Sequence, residues 1–127
     1  MANILVVDDD PDIGTMLKMM LEFKGYGVML LNSAEKACDV LDKNPINLVI
    51  LDMLIAGDNG TDVCMAIRNN KESAQVPVMM ISALPDARKT CLDAGANEFI
   101  SKPFEMDAFA KRVRQMLENG HSEPGAG

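Results

Sequence analysis

The chain has 127 residues, the length of one ordinary domain, and 48% of them are hydrophobic, enough to bury a core. With no Trp, one Tyr and four Phe, that core must come chiefly from Val, Ile, Leu and Met. A formal net charge of -7 argues against non-specific attraction to nucleic-acid phosphates; beside a plain role in solubility, it suits a cation site or a basic partner.

Asn3 to Val7 (NILVV) is a compact apolar run. Ile13, Met16, Leu17, Met20 and Leu21 then fall on one face of a helix, which Gly25 can end. Gly27 to Leu31 (GVMLL) is a second run. Ser33 is placed to cap a helix carrying Ala34, Ala37, Cys38 and Leu41, stopped by Asn44-Pro45. Asn47 to Leu51 (NLVIL) is a third run, and Val63, Ala66 and Ile67 suggest a helix beginning near Gly60. Val76 to Ile81 (VPVMMI) is a fourth run, followed by a short helix over Pro85 to Ala94 closed by Gly95. Glu98 to Ser101 is a weaker fifth run. Met106, Phe109, Val113, Met116 and Leu117 give a last amphipathic helix.

Five β-α repeats with continuously apolar strands imply an α/β fold: a parallel sheet covered by helices on both faces. Right-handed crossovers favour a doubly wound, flavodoxin-like sheet of strand order 2-1-3-4-5. The domain is expected over residues 1–119, with the Gly/Pro-rich residues 120–127 as a tail or linker stub. Cys38, Cys64 and Cys91 form no C-x-x-C pair and are odd in number, so reduced thiols are expected. The opening MANILVVDDD lacks a basic n-region, and no run reaches membrane-spanning length. A cytoplasmic location is the expectation.

The polar residues fall at strand ends. Asp8, Asp9 and Asp10 follow the first strand, Asp52 the third, Ser82 the fourth and Lys102 the fifth. In order 2-1-3-4-5 the switch point lies between strands 1 and 3, so Asp8, Asp9 and Asp52 should converge there, faced by Ser82 and Lys102. Three carboxylates in one pocket repel one another, and a divalent cation relieves this; hard oxygen donors suit Mg²⁺. Lys102 offers a compact charge for a phosphoryl oxygen, and Ser82 a neutral hydroxyl. Together they suggest a phosphoryl-transfer site with Asp52 as nucleophile.

The ordered set "ILVVDDD" (Ile4 to Asp10), "LVILDM" (Leu48 to Met53), Gly60, "MISA" (Met80 to Ala83) and "AGANEFISKPF" (Ala94 to Phe104) resembles the receiver domains of two-component response regulators, the CheY-like superfamily. The resemblance implies that Asp52 takes phosphate from a histidine kinase or phosphotransfer protein. It implies that Asp9, Asp52 and the Leu54 backbone carbonyl bind Mg²⁺ directly and Asp8 through water. It gives Lys102 contact with the phosphoryl group, a cis bond before Pro103, and the switch positions to Ser82 and Phe99. The α4-β5-α5 face would then control an output partner or domain, with room for a phosphorylation-linked homodimer and with no direct nucleic-acid or membrane binding by this domain. Phosphorylation would let Phe99 turn inward, and a ring without a hydroxyl loses less by burial. Three departures stand out: Ala56 where the family usually has Pro, a short span from Ser82 to Gly95 containing Pro85, and Phe99 itself. Leu54 and Leu84 flank the path of attacking water and cannot orient it, so slow self-dephosphorylation is expected.

Each residue also has a plainer role. Asp10 before Pro11 suits a helix N-cap, and Asp12 a first-turn dipole partner. Phe99 suits the core, and His121 the tail. A haloacid-dehalogenase-like phosphatase would use Asp8 as nucleophile with Asp10 two residues on, and "GDNGTD" (Gly57 to Asp62) resembles its later acidic motif. There, however, that motif follows the Ser/Thr and Lys motifs, whereas here it precedes both. A flavodoxin-like FMN binder would meet repulsion between three aspartates and a phosphate.

Overall fold

A computed structural model of the chain describes residues 2–55, 58–84 and 86–119. Five parallel strands form one sheet: β1 (Asn3–Val7), β2 (Gly27–Leu31), β3 (Leu48–Asp52), β4 (Val78–Ser82) and β5 (Glu98–Ser101). The spatial order is β2-β1-β3-β4-β5, the doubly wound order expected from the sequence. The helices are α1 (Pro11–Phe23), α2 (Ala37–Lys43), α3 (Gly60–Asn69), α4 (Ala87–Asp93) and α5 (Met106–Asn119). Leu54–Ile55 and Asp58–Asn59 add a two-residue antiparallel ladder that the sequence did not suggest. Among the described residues no helix is long and apolar enough to cross a membrane.

Strand alternation divides the core between the two faces. Leu5, Val7, Val49, Leu51 and Met80 point to one face and meet Leu41, Cys64, Ile67 and Cys91 from α2, α3 and α4. Ile4, Val6, Ile50, Met79 and Ile81 point to the other and meet Leu17 and Leu21 of α1 with Phe109 and Val113 of α5. Both faces are covered, so β3 and β4 are buried at every position. Full burial of each such aliphatic side chain contributes about 1.5–3 kcal/mol before chain entropy is set against it.

Several boundaries move for identifiable reasons. Ser33 is not the cap of α2. A turn closed by the Ala37 N–H on the Ala34 carbonyl delays regular helix to Ala37, and the cap position falls on Lys36, whose side chain makes no capping bond. Asn47 precedes β3 rather than starting it, because its N–H donates to the Asn3 carbonyl while its side-chain oxygen accepts from the Asn3 N–H. β4 begins at Val78, after Pro77, which has no N–H to give; the Val76 carbonyl is taken by Arg68. α4 spans seven residues, the short helix expected. Gly25 and Gly95, at φ 99° and 113°, make the left-handed exits from α1 and α4. Ala56, Pro85 and residues 120–127, including His121, lie outside the described residues.

Candidate active site

The shifted boundary of β3 makes Asp52 its last residue, 7% exposed. Asp8 leaves β1 with its N–H on the Leu31 carbonyl of β2 and its side chain 3% exposed. Lys102 follows β5, its N–H held by the Ser82 carbonyl at 2.8 Å. Parallel register aligns these ends: Val7 lies beside Leu51, Asp52 beside Ile81, and Ser82 beside Ser101. The polar groups therefore share one sheet edge.

At that edge the Lys102 ammonium donates to Asp52 Oδ2 at 2.8 Å. Burial pushes the Asp8 carboxyl up to about 6; a hydrogen bond from the Asp10 N–H works against this, the Asp52 charge adds to the rise, the Lys102 charge opposes it and the Asp9 charge adds to it. Burial works against the Lys102 charge, yet the bond to Asp52 and the charges of Asp52, Asp8 and Asp10 outweigh it and raise the amine. The half-buried Asp9 is the most open of the site carboxylates.

Asp10 is drawn away from the site. Its carboxylate caps α1, accepting from the Asp12 N–H at 2.9 Å and the Ile13 N–H at 3.3 Å, with Pro11 at the first helical position. Ser82 is 2% exposed, and its Oγ accepts from the Leu84 N–H at 3.0 Å. Phe99 is 7% exposed and packs in the cluster containing Met80, Ala87 and Cys91, so its ring already lies inward. The Lys102–Pro103 peptide is cis. Phe104 stacks on Phe109, ring centroids 5.0 Å apart, which pins the segment following Lys102 onto α5.

Sequence reasoning missed how the segment after Asp52 is held. Asn59 caps α3, its Oδ1 accepting from the Thr61 N–H and hydroxyl at 3.0 and 2.7 Å. An Asn just ahead of a helix start is a readable cap signal. Leu54 pairs with Asn59 in the small ladder. Arg68 sits at the opposite edge of the sheet, bonded to the segments that enter β4 and β5, and leaves no mark in the sequence pattern.

Among the described residues no group of three His, Cys, Asp or Glu side chains is arranged to hold a metal by itself. Asp8, Asp9 and Asp52 are therefore not a closed cage. Mg²⁺ does not need one: it keeps several waters and takes one or two carboxylates. One amine facing three carboxylates, with the Asp8 proton affinity raised, leaves the edge short of positive charge, and a hard divalent cation suits that donor set.

The sheet is that of a doubly wound α/β domain, and its acid–lysine edge lies at the topological switch point. The family model for the response regulator receiver domain matches residues 4–114, and the chain belongs to that family. It is 35% identical over 123 residues to the transcriptional regulatory protein CpxR of Escherichia coli (strain K12), covering 95% of this chain and 51% of that protein. The chain spans about half the length of the curated relatives it matches. A putative response regulator from Chloroflexus aurantiacus has the same fold, with TM-score 0.87 and 33% identity over 92% of this chain and 98% of that one. So does the receiver domain of a sensor histidine kinase from Pseudomonas aeruginosa PAO1, with TM-score 0.84 and 25% identity over 92% of this chain and 98% of that one; its structure holds a magnesium ion coordinated in the active site cleft.

Proposed function

We propose that residues 1–119 form a cytoplasmic signalling module that accepts a phosphoryl group on Asp52 from the phosphohistidine of a histidine kinase or phosphotransfer protein. A carboxylate oxygen of Asp52 bonds to phosphorus as the P–N bond breaks, and the imidazole nitrogen leaves with the electron pair. Asp9, Asp52 and the Leu54 carbonyl would hold Mg²⁺, with Asp8 acting through water; when bound, the ion offsets oxygen charge on the phosphoryl group. Lys102 exchanges its bond to Asp52 for one to a phosphoryl oxygen, holding positive charge where negative charge gathers. Ser82 gives up the Leu84 N–H and donates its hydroxyl to the phosphoryl group.

The observation that carries this reading is the 2.8 Å Lys102–Asp52 contact beside a buried Asp8. The capping role of Asp10 weakens the phosphatase alternative, which needs that residue in the chemistry. Because Phe99 is already buried, phosphorylation would favour an existing inward state and, through it, one arrangement of the α4-β5-α5 face. That face would act on an output domain or partner, or on a second copy. Incubation with Mg²⁺ and acetyl phosphate, read by intact mass, tests the reading: one phosphoryl group should add to the wild type and none to Asp52→Asn. Failure to modify folded wild type with any small donor would exclude it.

A further inference from the structure

On the carboxyl side of the sheet, where α2 and α3 begin, the two helices enclose an open groove of about 300 Å³. Its lining is Ala34 and Glu35 from the turn before α2, Cys38 from α2, and Asp62, Val63 and Ala66 from α3. The floor is small and apolar. Among the described residues, the only charged groups lining it are the carboxylates of Glu35 and Asp62.

Some helix acids are paired, Glu22 with Lys18, Asp39 with Lys43 and Asp93 with Lys89, while others such as Asp12, Asp86 and Asp107 have no side-chain partner among the described residues. Among the described residues Glu35 and Asp62 have no ion pair or hydrogen bond. A helix start favours an acid for its own sake, which accounts for each carboxylate singly. It does not account for an apolar trough between two of them.

We propose that this groove receives an arginine side chain presented by a basic partner protein. An arginine stem is three methylenes long and lies well on apolar surface, while its planar, five-donor head can be shared between two carboxylates. A small free cation would leave the apolar floor wet. The groove is too open to enclose a ligand, which suits a side chain whose flanking backbone completes the cover. The chain's net charge of -7 favours the approach of such a partner.

Amide NMR spectra recorded during titration with the blocked peptide acetyl-Gly-Arg-Gly-amide test this. Saturable shifts are expected in residues 34–38 and 62–66, absent with the citrulline analogue, which keeps the shape and lacks the charge. Glu35→Gln and Asp62→Asn should each weaken binding about three-fold, as exposed ion pairs do. Ala66→Met, which fills the floor and leaves both charges, should abolish it. Shifts that do not saturate, that persist with citrulline or in Ala66→Met, or that centre on the Asp8–Asp52 edge would overturn the proposal.

Discussion

The Gly60 N–H donates to the Met53 carbonyl at 2.6 Å, so the first residue of α3 is bonded directly to the residue after Asp52. A methyl group on Gly60 would strike the Asp52 carbonyl oxygen and would lie 2.7 Å from Met53 Cα. The obstacle is backbone, which cannot turn aside as a side chain can. Gly60→Ala should therefore lower stability by about 1–3 kcal/mol, the usual cost of overpacking, and should slow modification of Asp52 by displacing the strand end. Chemical denaturation together with the rate of acetyl phosphate incorporation checks both; unchanged values would show that α3 has slack the packing does not suggest.

Asp8 makes the stability of the fold depend on pH. Its folded pKa of about 6 lies above the 3.8 of a free aspartate, so the folded state binds its proton more tightly than the unfolded state does. The favourable share is complete below pH 4 and is lost as pH rises through about 6. Asp8→Asn should remove that pH dependence and stabilise the fold at pH 7 by on the order of 2 kcal/mol, while weakening Mg²⁺ binding. Denaturation midpoints from pH 4 to 8 in metal-free buffer, compared between wild type and variant, give the answer.

Lys102 faces a nearly buried carboxylate that the variant Lys102→Ala would leave next to Asp8 and Asp9 without its amine. Phosphoryl incorporation should fall about ten-fold or more, the scale of losing one positioned charge at developing negative charge. The loss should exceed any change in Mg²⁺ affinity, because the amine serves the phosphoryl oxygen and not the metal. Equal rates in the two proteins would remove Lys102 from the chemistry.

Arg68 offers a contrast at the opposite edge. Its guanidinium donates to the carbonyls of Gly95 (2.9 Å), Val76 (2.6 Å) and Ala74 (3.3 Å) and to Asn97 Oδ1 (2.7 Å). Asn97 Oδ1 also accepts from the Val78 N–H, so one side chain ties α3 to the segments entering β4 and β5. Arg68→Ala should cost about 2–3 kcal/mol, since several acceptors lose a charged donor together. The folded fraction should still be modified at the wild-type rate, which separates this residue from the site.

Sequence pattern made the sheet order and the site edge legible because both follow from local signals: apolar runs of strand length, helical spacing, and a polar residue where each run stops. It misplaced what depends on partners distant in the chain. Asn47 looks like strand until Asn3 claims it, while Ser33 is a local exception, a cap signal overridden by the Ala34–Ala37 turn. Arg68 bonds mostly to carbonyl groups, which every residue carries, so no pattern of residue types announces it. The buried Phe99 fits its plain reading as a core residue, whereas the switch reading placed the ring inward only after phosphorylation. Its lack of a hydroxyl, the feature noted in the sequence, also suits its burial here without a phosphate.

The central claim is the identity of the phosphoacceptor, and borohydride trapping reads it most directly. Reduction of an aspartyl phosphate converts that one aspartate to homoserine, which peptide mass mapping locates. After treatment with Mg²⁺ and acetyl phosphate, homoserine is expected at position 52 alone. Homoserine at position 8, with residue 52 unchanged, would contradict the account.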